Sequence, residues 1–186
     1  MTVKAMFLVL LSGVLVNNYA LEQFQGVTPF LGNSRKGAKT VGLGAAVTVM
    51  MLLATAATWP LQNYVLAPKG LEHLQVLAFV AVIVVLAYVL DAIVRKVCKC
   101  GLRAYAPVLM LNSAVLGLCI NNVTSGIGYA EALLGAVGVG LGFMLGMLVM
   151  EAINSRIDMH HVPKAFRGLP ITLLAASFVC LALYAF

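Results

Sequence analysis

The chain has 186 residues, 62% of them hydrophobic and only 10% charged, with a net charge of +6 and a mean hydropathy of +1.03. A soluble domain carries about a quarter charged residues, so an ordinary globular protein and a disordered chain are both excluded, and four cysteines are too few for a secreted disulfide scaffold. What remains is an all-α integral membrane protein, because an outer-membrane barrel would alternate polar and apolar residues.

In chain order, the first apolar run extends from Ala5 to Gly32. It is too long for one straight crossing, which takes about 20 residues. Asn17, Asn18, Glu22, Gln23, Gln25, Gly26 and Pro29 interrupt it, so it reads as a broken or re-entrant first helix. Lys4 is a meagre basic head and no small-residue cleavage site precedes Asn17, so a cleavable signal peptide is not expected. Five further runs are each long enough to cross: Thr40 to Thr58, Leu71 to Val94, Leu102 to Asn121, Glu131 to Ile153, and Gly168 to Phe186. The expectation is six transmembrane helices in a single membrane domain, 1–186, with nothing left over for a soluble domain.

Basic residues orient the spans. Arg35, Lys36 and Lys39 follow the first span. Arg95, Lys96, Lys99 and Arg103 lie between the third and fourth, and Arg156, Lys164 and Arg167 between the fifth and sixth. Ten of the twelve Lys and Arg residues therefore fall on alternate loops. These loops are expected to be cytoplasmic, with both termini facing outward. Charge confined to loops, without interleaved aromatics, also argues against a nucleic-acid partner.

Three spans per half would invert the second half relative to the first, a common transporter plan, with one repeat over about 1–95 and the other over about 96–186. Asn17 and Asn112, Leu21 and Leu116, and Pro68-Lys69 and Pro163-Lys164 recur at a spacing of 95. The glycine-rich stretches Val41 to Ala46 and Gly138 to Phe143 are alike but fall out of that register. Close helix packing alone accounts for most of their glycine.

Polar groups placed in hydrocarbon are the candidates for function. Asn17, Asn18, Asn112 and Ser113 interrupt spans one and four, and Pro107 removes a helix hydrogen bond shortly before Asn112. Broken helices free backbone groups, which is tolerated only against protein or a cavity. Two readings stand: a site or pathway where spans one and four meet, or amides that merely bond neighbouring helices. Glu22 is an intramembrane acid and so a functional candidate, although a basic partner or a watery vestibule also accounts for it. Asp91 with Arg95, and Glu151 with Arg156, read as interfacial ion pairs, and Glu131 suits a helix N-terminus.

Cys98 and Cys100 lack the Cys-x-x-Cys spacing of a metal site and read as incidental. Cys119 and Cys180 read as small hydrophobes in helices, and His160-His161 as a solvated interfacial pair. No nucleophile–base constellation, phosphate loop or dinucleotide fingerprint is present, so the chain is not expected to catalyse a reaction alone.

Three segments carry a resemblance: LVNNYALEQFQGVTPFLG (Leu15 to Gly32), LNSAVLG (Leu111 to Gly117) and VPKAFRGLPITLL (Val162 to Leu174). They resemble the RnfA/NqrE family of membrane subunits, over the whole length and with the same number of spans. The orientation read from charge agrees with that family, whose sister subunit (RnfE/NqrD) is inverted. The resemblance implies a subunit of an Rnf- or Nqr-like complex that couples electron transfer to Na+ or H+ translocation in a bacterial or archaeal cytoplasmic (inner) membrane. It implies pairing with the inverted sister, a 2Fe–2S cluster held by two cysteines from each of the two, and FMN, riboflavin and further iron–sulfur clusters in partner subunits.

Two positions depart from the family. Its first cysteine lies in Gly-x-Cys-Pro-Phe, where this chain has Gly26-Val27-Thr28-Pro29-Phe30. Its second lies in Asn-Cys-Ala-Val-Leu-Gly, where this chain has Asn112-Ser113-Ala114. Thr28 and Ser113 thus occupy the cluster-ligand positions, and neutral hydroxyls are poor, hard ligands for iron in a sulfide cluster. Cys119, six residues beyond Ser113 and roughly 9 Å along a helix, does not stand in. The cluster is therefore not assigned to this chain. Asn17, Asn18, Glu22, Gly26, Pro29 and Asn112 are the expected pathway-lining residues beside Thr28 and Ser113. The alternatives in other classes are the substrate-binding membrane subunit of a small-molecule transporter, and a structural subunit without a redox centre.

Overall fold

The computed structural model describes residues 37–97, 112–157 and 162–184. Among these there is no strand: there are five α-helices, with short 3-10 and π turns at 62–66, 67–69, 72–74 and 164–166. Helix α1 is Gly37–Leu61, α2 Gln75–Val97, α3 Ser113–Thr124, α4 Tyr129–Arg156 and α5 Leu169–Tyr184. Three of the expected crossings are long and apolar enough to span a membrane: Thr40–Lys69, Gln75–Ala92 and Tyr129–Arg156, with mean hydropathies of 1.9, 2.4 and 2.2. The first broken span lies outside the described residues, and with it Asn17, Asn18, Glu22, Gly26, Thr28 and Pro29.

Helices α1 and α4 form the centre: 44% and 50% of their spans are buried, against 17% for α2. Helix α1 packs chiefly on α4 and also on α3 and α2, and α5 packs on α4. The α1–α4 contact is built on two glycines. A Cβ added at Gly44 would lie 2.6 Å from Met144 Cγ, and one added at Gly140 would lie 2.6 Å from Thr48 Cγ2 and 2.9 Å from Thr48 Cα. Residues 44 and 48 on α1 thus meet 144 and 140 on α4, so the two helices run antiparallel. The glycine-rich stretches singled out in the sequence are the two halves of this crossing. In lipid, helices associate by van der Waals packing and not by hydrophobic exclusion, and small residues are what let backbones approach.

Around this pair the core closes with Val47, Met50 and Met51 of α1 and Phe143 of α4. From α2 come Phe79, Ile83 and Ala87, four residues apart and hence on one face; the opposite side of α2, with Leu77, Val85 and Tyr88, is exposed. Hydroxyls within the helices return to their own backbone, as Thr48 does to the Gly44 carbonyl at 2.9 Å and Thr172 to the Gly168 carbonyl at 2.7 Å. Such bonds satisfy the hydroxyl where water is absent.

Helix α1 does not end cleanly. Pro60 lies within it and cannot donate to the carbonyl four residues back. A π-turn follows at Gln62–Leu66, in which the Ala67 N–H reaches the Gln62 carbonyl. Two 3-10 turns, Ala67–Lys69 and Glu72–Leu74, lead into α2, with Gly70 at φ +65° capping the first. Trp59 fastens this end: its Nε1 donates to the Ile127 carbonyl at 3.0 Å, and its ring lies 5.2 Å from that of Tyr129 and 6.5 Å from that of Tyr64. Aromatics clustered at helix ends are typical of the membrane–water interface.

Two expectations are refined. Helix α3 has 12 residues, about 18 Å at 1.5 Å per residue, roughly half of the hydrocarbon thickness. The described part of the fourth run therefore holds a half-length helix that begins at Ser113, and its residues 102–111 lie outside the described residues. The expected Glu151–Arg156 ion pair does not form among the described residues. The reason is geometric: five residues apart, the two lie about 140° apart around the helix, where spacings of three or four would have brought them together. Glu131 does stand in the first turn of α4, as its charge favours.

The two glycines are not equivalent to the others in their helices. Gly140→Ala drives a methyl into the Thr48 backbone and is expected to cost about 1–3 kcal/mol. Gly42→Ala, where nothing lies within 4 Å, is expected to be neutral. Thermal unfolding of the detergent-solubilised variants checks both.

Candidate functional site

The start of α3 is the one part of the expected site within the described residues. Asn112 is extended (φ −78°, ψ 105°) and its side-chain Oδ1 accepts from the Ala114 N–H at 3.0 Å. This is an N-cap, the role for which asparagine is among the best residues. It explains why the helix starts at Ser113, and why an amide is tolerated in an apolar run. Asn112 is 3% exposed, and its Nδ2 has no hydrogen-bond partner among the described residues. Ser113, the first helical residue, is exposed, while Ala114 and Val115 turn into the core.

The predicted meeting of spans one and four involves Asn17, Asn18, Glu22, Gly26, Thr28 and Pro29, all outside the described residues. Of the predicted pairings, only Asn112 with Ser113 can be described, and they differ in burial, Asn112 being buried and Ser113 exposed. The first turn of α3 offers N–H groups and the positive end of a helix dipole. It offers no soft donor. Cys119 is 1% exposed and its thiol faces Thr58 and Thr55 of α1, so it lies on another side of α3 from Ser113. Cys180 is only partly buried on α5. Cys98, Cys100 and His160-His161 lie outside the described residues.

A second polar cluster lies between α1 and α3, one that a search for apolar runs and their breaks misses. Thr55, Thr58 and Gln62 are 0%, 2% and 6% exposed, and Asn122 is 5% exposed. Asn122 Nδ2 donates to Thr55 Oγ1 at 3.5 Å, and Thr58 Oγ1 donates to the Ala54 carbonyl at 2.8 Å. Gln62 Oε1 is buried and has no partner among the described residues. The signal was available: Thr55, Thr58 and Gln62 recur at i, i+3 and i+7 in an otherwise apolar helix, the spacing of one helix face. It was obscured because an unbroken apolar run, the criterion for a span, treats threonine as neutral filler.

Apolar helices too long and too numerous for a soluble core, a half-length helix capped inside the bundle and a buried stripe of uncharged polar residues define a multi-pass membrane protein. The model of the Rnf-Nqr subunit family of membrane proteins matches residues 6–186, and the chain belongs to that family. It is 40% identical over 186 residues to the A subunit of the ion-translocating oxidoreductase complex of Syntrophotalea carbinolica, covering 98% of this chain and 96% of that protein. It is 36% identical over 181 residues to the A subunit of the Na(+)-translocating ferredoxin:NAD(+) oxidoreductase complex of Acetobacterium woodii, covering 96% and 94%. A third relative, from the ion-translocating oxidoreductase complex of Azotobacter vinelandii and again its A subunit, is 36% identical over 183 residues, covering 96% and 94%.

Removing the cap tests the role given to Asn112. Asn112→Ala is expected to cost about 1 kcal/mol and Asn112→Ser much less. Comparison of melting midpoints in one detergent separates a cap from a residue that only fills space.

Proposed function

We propose that this chain is the A-type membrane subunit of an Rnf-like complex, in which electron transfer is coupled to translocation of Na+ or H+. Its nearly full-length similarity to proteins that bear that name carries the reading. The complex sits in the cytoplasmic membrane of a bacterium or archaeon. The chain crosses six times with both termini outward and pairs with an inverted sister subunit. FMN, riboflavin and iron–sulfur clusters belong to partner subunits.

Support for two inverted halves comes from the α1–α4 crossing. Gly140 follows Gly44 by 96 positions and Met144 follows Thr48 by 96, and each glycine touches the counterpart of the other's partner. Any antiparallel pair has that reciprocity; what favours a twofold relation is that both equivalent positions, 44 and 140, are glycines at the closest approach. Pro68-Lys69 and Pro163-Lys164, 95 apart, both stand at a 3-10 turn preceding the next long helix.

The exposure of Ser113 supports the sister pairing, because a ligand position shared between two subunits belongs on the surface of each. The residue there does not fit the family's cluster. A serine hydroxyl is a hard, neutral donor, iron–sulfur clusters take thiolates, and Cys119 faces the interior. No electron path is therefore drawn through this chain. Its own residues hold the α3 N-terminus in place and keep the surrounding core dry. A transporter or structural role keeps the same scaffold but predicts different company.

Tagged, solubilised gently without oxygen and identified by mass spectrometry, the chain is expected to bring flavoprotein and iron–sulfur subunits with it. An ATPase pair, or no partner, contradicts the proposal. In the same preparation, Thr28→Cys with Ser113→Cys is expected to add a 2Fe–2S signal by EPR that the wild-type complex lacks. An assembled double variant without a new signal means that positions 28 and 113 do not stand together against ligands of the sister subunit.

A further inference from the structure

Gln62 Oε1 is the most informative atom in the fold. It is buried without a partner among the described residues. A carbonyl oxygen only accepts, and leaving it unpaired in the interior costs about 1–3 kcal/mol, so what completes it is a proton donor or a cation. Its neighbours on the helix face are Thr58, one turn back, and Thr55, two turns back. The Thr58 proton is committed to the Ala54 carbonyl, and its oxygen, which also faces the Cys119 thiol, has two lone pairs with which to accept. Thr55 Oγ1 already takes the amide of Asn122, which holds α3 against this stripe. The stripe is about 10 Å long and climbs toward the level of the Trp59–Tyr64–Tyr129 aromatics.

The chemistry of this set is one-sided. Its accepting atoms are oxygens, none charged. Divalent cations draw carboxylates, and transition metals draw several imidazoles or thiolates together, where this set has beside it the single thiol of Cys119, hydrogen-bonded with Thr58 and Thr55. An anionic ligand would find no positive group in the set. Neutral oxygens in place of a hydration shell are what monovalent cations accept. The backbone is also disturbed at this point: Pro60 removes a donor and the π-turn opens at Gln62. The Gln62 backbone carbonyl is itself taken by the Ala67 N–H, so it is the side-chain carbonyl that is left to bind a ligand, at an irregular turn of the sort that often marks functional sites. If the stripe only fastened α3 to α1, Thr55 and Asn122 would suffice, and Gln62 would be a buried carbonyl serving nothing.

We propose that Gln62 and Thr58 of α1, backed by Thr55 and by Asn122 of α3, form a site for a partly dehydrated monovalent cation that enters from the aromatic end of the helix. The site rests on the assignment of the chain to an ion-translocating complex and supplies a location for the ion within this subunit.

The test uses the whole complex in vesicles and follows ferredoxin-driven NAD+ reduction, the reaction in the name of the Acetobacterium relative, against NaCl at constant ionic strength. Gln62→Leu is expected to raise the half-saturating Na+ concentration at least tenfold, and Gln62→Glu to lower it by adding a negative ligand. Thr58→Val, which keeps shape and loses the oxygen, gives the same direction as Gln62→Leu should the latter not assemble. An unchanged Na+ response in intact variant complexes overturns the site and leaves the stripe to water. Wild-type electron transfer indifferent to Na+ overturns it too, while the assignment to the complex stands. Absence of both electron-transfer activity and co-purifying partners overturns the two together.

Discussion

The crossing of α1 and α4 through Gly44 and Gly140 sets the spacing of everything else that the structure describes. Between helices in lipid there is almost no hydrophobic drive, so contact must come from backbones brought close by small residues. A methyl at either glycine would already collide with Met144 or Thr48. Once α1 lies against α4, the buried face of α1 continues toward its far end as Thr55, Thr58 and Gln62, and α3 completes the layer. The stripe of polar residues is thus a continuation of the same helix face that carries the glycine contact.

Much of this was legible in the sequence, for identifiable reasons. Apolar runs marked α1, α2, α4 and α5 to within a few residues, because no other signal in hydrocarbon competes with length and hydropathy. The break in the fourth run was legible too: Asn112-Ser113 is capping chemistry, and the structure uses Asn112 as a cap. Two matters were not. The partner of each glycine stretch depends on which helices cross, and that the two pack against each other as Gly44 on Met144 and Gly140 on Thr48 is not written in either stretch. The Thr55–Gln62 stripe was hidden because its three residues are uncharged and spread over two turns. A spacing-based assignment also failed at Glu151 and Arg156, where five residues put the charges on different sides of α4.

Function follows from what the scaffold keeps and what it lacks. The chain belongs to the Rnf-Nqr family along almost its entire length, and it retains the capped helix start that would present a ligand at position 113. A hydroxyl stands at that position, exposed, and the Cys119 thiol is turned into the core between α1 and α3. Position 113 thus stands at the surface with a donor of the wrong hardness for an iron–sulfur cluster. The polar groups that remain suit an ion better than an electron.

If the chain works as proposed, the N-terminus of α3 is an interface with another member of an electron-transfer complex. A density map of the native complex, purified through a tag on this chain, tests this most directly. Ser113 is expected to lie against a second, inverted helical subunit of similar size. Ser113 facing lipid would contradict it.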